Sequence, residues 1–306
     1  MTIENALSSP QKSTTVRANS RTATPRVPLA ARVIRLSLGA LSAVSPDAAG
    51  LAAERLFMHP RRHARPDHEW ALLSSARMFS IPNPDGGALT AWEWGDDGEP
   101  VLLMHGWEGR GAQLGSLVAP LVARGFRVVT LDAPAHGSSP GFLSSFFHFA
   151  RALESAKTEV GPFRAVIAHS LGGAAAAWAS QSSALGERLV MIAAPTDLRD
   201  ATEEAAQMLG LRRDARERME ARLTRRFGMT LDDVHAARVA PQMTAPLLVV
   251  HDENDREVPI ASGELLARVW PGAELVKTRG LGHRRILKDP AVIGRIVSFV
   301  AAPASA

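Results

Sequence analysis

The 306-residue chain contains no cysteine and no tyrosine. The missing cysteine excludes disulfides, thiolate metal sites and cysteine nucleophiles together, and it fits a reducing, cytoplasmic setting. No apolar run reaches the ~18 residues of a membrane-spanning helix, so stable membrane insertion is not expected. A large excess of one charge is also missing: 35 Lys and Arg stand against 31 Asp and Glu, for a net charge of +4. The signs interleave, as in "RRDARERMEARLTRR" at 212–226, which suits a solvated helix face better than a nucleic-acid surface. There is no His-Glu-x-x-His zinc pattern and no phosphate-binding loop, so neither a metal nor a cofactor is expected. What remains is 46% hydrophobic and 22% charged, the balance of a globular chain with a sizeable core.

Three regions differ in texture. Residues 1–27 are rich in Ser, Thr, Arg and Pro and read as a disordered tail, although their arginine-rich, acid-poor composition is also that of an organelle transit peptide. Residues 28–76 read as an N-terminal helical extension. Leu29, Val33, Leu36 and Leu38 form one apolar cluster, Pro46 interrupts, and helical spacing resumes at Ala48. The stretch "SLGALSAV" at 37–44 is too short and too mildly amphipathic for a membrane anchor, so the extension is expected to pack on the rest of the chain, against its sheet. The following "HPRRHARPDH" at 59–68 places histidines among arginines, whose charge would repel a metal ion; it reads as an exposed linker.

From residue 77 to 306 the pattern is that of one α/β domain. "RMFSIP" and "ALTAWEWG" read as two strands around an Asn83-Pro84-Asp85-Gly86-Gly87 turn. Continuous apolar strands then alternate with helical stretches: "VLLMHG", helix 113–123, "RVVTLDA", helix 143–160, "AVIAHS", helix 171–181 and "RLVMIAAP". After a long interval come "PLLVVHD", helix 260–269, "AELVKT" and helix 290–300. Apolar runs without alternation belong to strands covered on both faces, and helices between them imply parallel pairing. The expected fold is a doubly wound, mostly parallel sheet with helices on both faces. The interval at about 196–245 is long enough for several helices and is expected to cap the carboxyl ends of the strands, where such sheets bind ligands.

Those strand ends carry the chemistry. They terminate in His105-Gly106-Trp107, in Asp132-Ala133-Pro134-Ala135-His136-Gly137, in Ser170, in Asp252-Glu253-Asn254-Asp255 and in Gly280-Leu281-Gly282-His283. A serine, carboxylates and a histidine thus follow in the order Ser, Asp, His at one sheet edge. The signatures "HGW", "DAPAHGSS", "AHSLGG", "HDENDREVP" and "GLGH" resemble those of the α/β-hydrolase superfamily from about residue 77 to 300. The resemblance implies a helical cap and a catalytic triad of Ser170, Asp255 and His283. Asp252 and Asp197 are the alternative carboxylates. It also implies an oxyanion hole of the Trp107 and Leu171 N–H groups, with Trp107 and His169 facing the substrate pocket. His105, Asp132 and His136 are expected to support loops, and His251 to be a core histidine. Two positions depart from the pattern: Ala168 and Ala135 stand where glycines are usual.

A serine nucleophile excludes the aspartate-based dehalogenases and epoxide hydrolases of the superfamily, and the missing tyrosine removes the cap tyrosines that such epoxide hydrolases need. The expected function is hydrolysis of a carboxylic ester or thioester in a small acyl substrate. The alternatives are a lipase or thioesterase for long acyl chains, a carbon–carbon bond hydrolase, and a non-catalytic binding protein on the same scaffold.

Overall fold

A computed structural model describes residues 29–303; the 1–27 tail lies outside the described residues. Eight strands form one sheet: β1 (Arg77–Pro82), β2 (Ala88–Trp94), β3 (Pro100–Met104), β4 (Arg127–Leu131), β5 (Ala165–His169), β6 (Leu189–Ile192), β7 (Leu247–Asp252) and β8 (Glu274–Thr278). Their order is β1-β2-β4-β3-β5-β6-β7-β8. β1 and β2 pair antiparallel, β2 joins β4 antiparallel, and every pairing from β4 to β8 is parallel. The order reverses beside β3, and this reversal opens a crevice at the carboxyl ends of the central strands.

The helices around the sheet are α4 (Val118–Val122), α5 (Phe146–Val160), α6 (Leu171–Ala179), α10 (Ile260–Val269), α11 (Gly282–Arg285) and α12 (Pro290–Ala301). Alternate residues of one strand enter opposite cores. Leu102 and Met104 join Phe149 and Leu153 of α5, while Val101 and Leu103 join Leu121, Ile296 and Val300 on the other face. The central strands β3 to β7 are therefore dry on both sides, which is why they read as unbroken apolar runs, while the edge strands β1 and β8 are partly exposed. The helix expected over 113–123 is instead a 3-10 turn at Gly111–Leu117 followed by the short α4, because Gly111 and Gly115 weaken the first half. The short α11, which carries His283, gave no periodic signal because it is only 4 residues long.

The N-terminal extension differs from its expected placement. It contains α1 (Leu29–Val44), α2 (Pro46–Phe57) and α3 (Asp67–Leu73). The insertion after β6 contains α7 (Arg199–Leu209), α8 (Arg213–Phe227) and α9 (Ala236–Val239). α1 and α2 pack mainly on α7 and α8, so extension and insertion make one cap. The reason is a face of small residues, Ala49, Gly50 and Ala53, buried on α2. A Cβ on Gly50 would stand 2.7 Å from Arg218 Cβ and 3.0 Å from Met219 N, so only glycine permits this approach to α8. None of the described helices is long and apolar enough to cross a membrane.

An ionic clasp closes the α2–α8 contact. Glu54, with 2% of its side chain exposed, accepts from Arg222 Nε at 2.6 Å and Arg226 Nε at 2.7 Å. Burial alone would raise the Glu54 pKa, but the hydrogen bonds from Arg226 and Arg222 outweigh it and hold the carboxyl below its ordinary value. A group depressed on folding contributes stability that is complete above its unfolded pKa and is lost as pH falls through the folded one. Glu54→Gln is therefore expected to destabilise by on the order of 1–3 kcal/mol near neutrality. The gap between variant and wild type in urea or thermal melts is expected to shrink as pH drops below about 4. A gap that stays constant down to strongly acid pH contradicts the clasp.

Candidate active site

The sharpest local feature is the turn from β5 into α6. Ser170 sits there with φ 53° and ψ −127°, a left-handed conformation that an L residue adopts only under constraint. Its backbone N–H donates to Ile192 O at 2.9 Å, and Gly173 N closes the turn onto Ser170 O at 2.9 Å. A Cβ on Gly172 would come 2.3 Å from His105 O, and one on Gly173 would come 2.8 Å from Ala194 Cβ. These two glycines therefore carry the close approach of α6 to the neighbouring strands. Ala168 does not: its methyl is fully buried in the core on the α5–α6 side, with no glycine needed. Ala135 does keep the geometry of the usual glycine, with φ 64°, and accepts the strain of a left-handed alanine.

His283 lies at the start of α11 with its ring turned toward the end of β7. Its Nδ1 is 2.7 Å from Asp255 Oδ2. The Asp255 carboxylate is fully buried, and its Oδ1 accepts the N–H groups of Glu257 at 2.8 Å and Val258 at 3.0 Å. Burial raises the Asp255 pKa, but the bonds from His283, Val258 and Glu257 prevail and hold it below the ordinary carboxylate value. An ionised carboxylate at Oδ2 requires the proton on His283 Nδ1, which leaves Nε2 free to accept. The other two candidate carboxylates stand elsewhere. Asp252 accepts from Thr278 Oγ1 at 2.8 Å, Leu281 N at 2.9 Å and Asn254 N at 2.9 Å. Asp197 faces Arg199 at 2.8 Å in the cap.

Two buried histidines stitch the loop after β3 to the loop after β4. His105 donates from Nδ1 to Gly106 O at 2.7 Å and accepts the Ala133 N–H at Nε2, 3.0 Å away. His136 donates from Nδ1 to Pro134 O at 2.9 Å and accepts the Glu108 N–H at Nε2, 3.0 Å away. Carbonyls only accept, so both rings are the neutral Nδ1–H tautomer. Burial agrees, pushing His105 down to about 4 and His136 to about 3. Asp132 anchors the base of the second loop, accepting from Gly111 N at 2.7 Å and Ser138 N at 2.6 Å. At the mouth of these loops, the N–H groups of Trp107 and Leu171 make no hydrogen bond among the described residues.

A cavity of about 300 Å³ lies over the strand ends. Ser170, Leu171, Trp107 and His283 open onto it from the core, and Phe57 of α2 and Phe227 of α8 close it from the cap. One residue differs from expectation. His169 does not face the cavity: it is buried behind His283, its ring centroid 4.6 Å away, and its Nε2 donates to His283 O at 2.9 Å. Strand alternation explains this, since a residue adjacent to the outward-turning Ser170 points the other way. Burial holds His169 neutral, with its pKa down to about 3. His251, within β7, is the expected buried core histidine: its Nε2 donates to Val258 O at 2.9 Å, while its Nδ1 is buried without a partner among the described residues.

Sequence reasoning missed Glu257 and Phe57. Glu257 lines the same cavity with Oε2 3.9 Å from His283 Nε2. It occupies a variable position of "HDENDREVP" and carries no signal of its own. Phe57 reaches the cavity only because α2 belongs to the cap, which no local pattern announces.

Comparison with known proteins agrees with this architecture. The chain belongs to the alpha/beta hydrolase family, whose model matches residues 101–295. The Serine hydrolase-like protein of Danio rerio is 33% identical over 105 residues, which is 32% of this chain and 32% of that protein. The match therefore spans about a third of that relative's length. Among solved structures, an esterase from Exiguobacterium antarcticum aligns with TM-score 0.57 and 16% identity, covering 73% of this chain and 99% of its own. Alpha/beta hydrolase domain-containing protein 10 from mouse aligns with TM-score 0.59 and 17% identity, covering 74% and 97%. At such identities the structural likeness is one of fold, and the family supports hydrolase chemistry.

Proposed function

We propose that the protein is a serine hydrolase that cleaves a carboxylic ester or thioester through an acyl-enzyme on Ser170. The observation that carries this reading is the 2.7 Å contact of His283 Nδ1 with the buried Asp255, on the cavity onto which Ser170 also opens. His283 Nε2 accepts the Ser170 proton as Oγ bonds to the acyl carbon. The N–H groups of Trp107 and Leu171 receive the oxyanion, and the N-terminus of α6 adds its dipole. His283 then delivers the proton to the departing alcohol or thiol. Water repeats the sequence and releases the acid. In the free protein the Ser170 hydroxyl is unengaged by any side chain among the described residues, and its bond to His283 Nε2 forms when substrate enters.

The cavity walls favour an uncharged acyl group. Trp107, Leu171, Phe57 and Phe227 present apolar surface, and a volume of about 300 Å³ sits at the low end of small-molecule sites. Short and medium acyl chains fit this best. The test is a fluorophosphonate probe followed by p-nitrophenyl esters from acetate to palmitate. Labelling at Ser170 and an optimum at short or medium chains are expected. An optimum at palmitate replaces the esterase reading with a lipase or thioesterase. A folded protein that takes no label overturns the serine mechanism and favours a binding role.

A further inference from the structure

The arginine-rich segment 59–66, between α2 and α3, is not a free linker. It runs across the two loops that frame the candidate active site and bonds to both. Arg62 donates to the carbonyls of Gly137 at 3.1 Å, Ser139 at 2.7 Å and Gly141 at 3.1 Å. Arg65 has 5% of its side chain exposed, lies between the rings of Trp70 at 4.7 Å and Trp92 at 5.1 Å, and reaches Asp132 Oδ2 at 3.1 Å. These two arginines anchor the strap to the loop after β4. Arg61 reaches the other loop, where its Nε is 3.0 Å and its Nη2 3.1 Å from the Glu108 carboxylate, and its backbone N–H donates to the same carboxylate at 3.1 Å.

Glu108 directly follows Trp107, and its φ is 54°. A left-handed glutamate is disfavoured relative to ordinary backbone, so the turn persists only where contacts hold it. Three contacts do so here: His136 accepts the Glu108 N–H, Arg61 grips the carboxylate with a planar fork, and His63 Nε2 meets the same carboxylate more loosely at 3.5 Å. Rotating Glu108 toward a relaxed φ would turn the Trp107–Glu108 peptide, pull the Glu108 N–H off His136 and displace the Trp107 backbone, which redirects the Trp107 N–H one peptide further back.

We propose that Arg61 is a positioning residue that, through its paired contact with Glu108, aims the Trp107 N–H at the oxyanion. This rests on the serine-hydrolase reading of the same site. The Arg61 side chain is 78% exposed. A surface ion pair contributes little to global stability, so the role of Arg61 is readable separately from folding. The strap also gives the N-terminal extension a part in chemistry: the segment that joins α2 of the cap to the core is the one that fixes the oxyanion loop.

The experiment measures Arg61→Ala, Arg61→Lys, Glu108→Gln and the Arg61→Ala/Glu108→Gln pair, with p-nitrophenyl butyrate as substrate and phenylboronic acid as a tetrahedral-intermediate mimic. Arg61→Ala is expected to lower kcat about 10- to 100-fold with KM and melting temperature unchanged. Boronate affinity is expected to fall by the same factor. Arg61→Lys, which keeps the charge without the fork, is expected to recover part of the loss, and the double variant to be no worse than Arg61→Ala alone. Wild type that takes a fluorophosphonate label while Arg61→Ala keeps wild-type kcat and boronate affinity overturns the positioning role alone. Loss of kcat accompanied by a lowered melting temperature and no rescue by lysine also overturns it, in favour of a structural role. Wild type that neither takes the label nor hydrolyses esters overturns the serine reading and this proposal with it.

Discussion

Ser170→Ala is expected to lower ester turnover by about 10⁶-fold, leaving about 10³–10⁴-fold over the uncatalysed reaction, while the protein keeps its fold. The size of the effect follows from the unit in which the serine acts. Without Oγ there is no acyl-enzyme, and His283 has no proton to receive; what survives is binding and the polarising effect of the Trp107 and Leu171 N–H groups. Alanine removes one oxygen from a half-buried side chain and adds nothing to the cavity. The strained φ of 53° is as available to alanine as to serine, so the melting temperature should hold. Turnover of p-nitrophenyl butyrate, corrected by fluorophosphonate titration for residual wild-type enzyme, is the measurement. A Ser170→Ala protein that keeps even a tenth of wild-type kcat would falsify the covalent mechanism.

What was legible in the sequence divides along local and non-local physics. β3, β5, β6 and β7 read clearly because each is buried on both faces and so forms an unbroken apolar run, as "LLVV" does within β7. Ser170 and the glycines Gly172 and Gly173 lie within a few residues of one another, and their constraint is a turn whose rules are local. Asp255 stood beside Asp252 in the same short stretch; the choice between them became a matter of geometry only when the turn at 252–255 sent one carboxylate to His283 and left the other bonding Thr278 and Leu281. The strap and the composite cap were not legible. Arginines at 61, 62 and 65 look like a solvated charge run because their partners, Glu108, Gly137, Ser139, Gly141 and Asp132, are tens of residues away. The placement of α2 on α8 turns on Gly50 and Ala53, small residues that signal helix contact only when the partner is known. His169 adjoins Ser170 in sequence, which suggests a place in the pocket, yet strand alternation turns it inward.

Asp255→Asn is expected to lower kcat by about 10⁴-fold with little change in KM. The carboxylate has two distinct jobs at its two oxygens. Oδ1 accepts the N–H groups of Glu257 and Val258, and Oδ2 meets His283 Nδ1. In the asparagine variant the amide oxygen is the only acceptor and remains with the two backbone donors, so the NH₂ group faces His283. A donor there forces Nδ1 to accept and moves the ring proton to Nε2, the nitrogen that must take the Ser170 proton. The same change removes the negative charge that stabilises the imidazolium formed during attack. Asp252→Asn is the control: it alters bonds to Thr278, Leu281 and Asn254 without touching the ring, so its effect is expected in thermal stability and not in the tautomer. Steady-state kinetics of both variants, with ¹⁵N chemical shifts of His283 to report which nitrogen carries the proton, distinguish the two roles. Unchanged turnover in Asp255→Asn would remove Asp255 from the assisting role at His283 Nδ1.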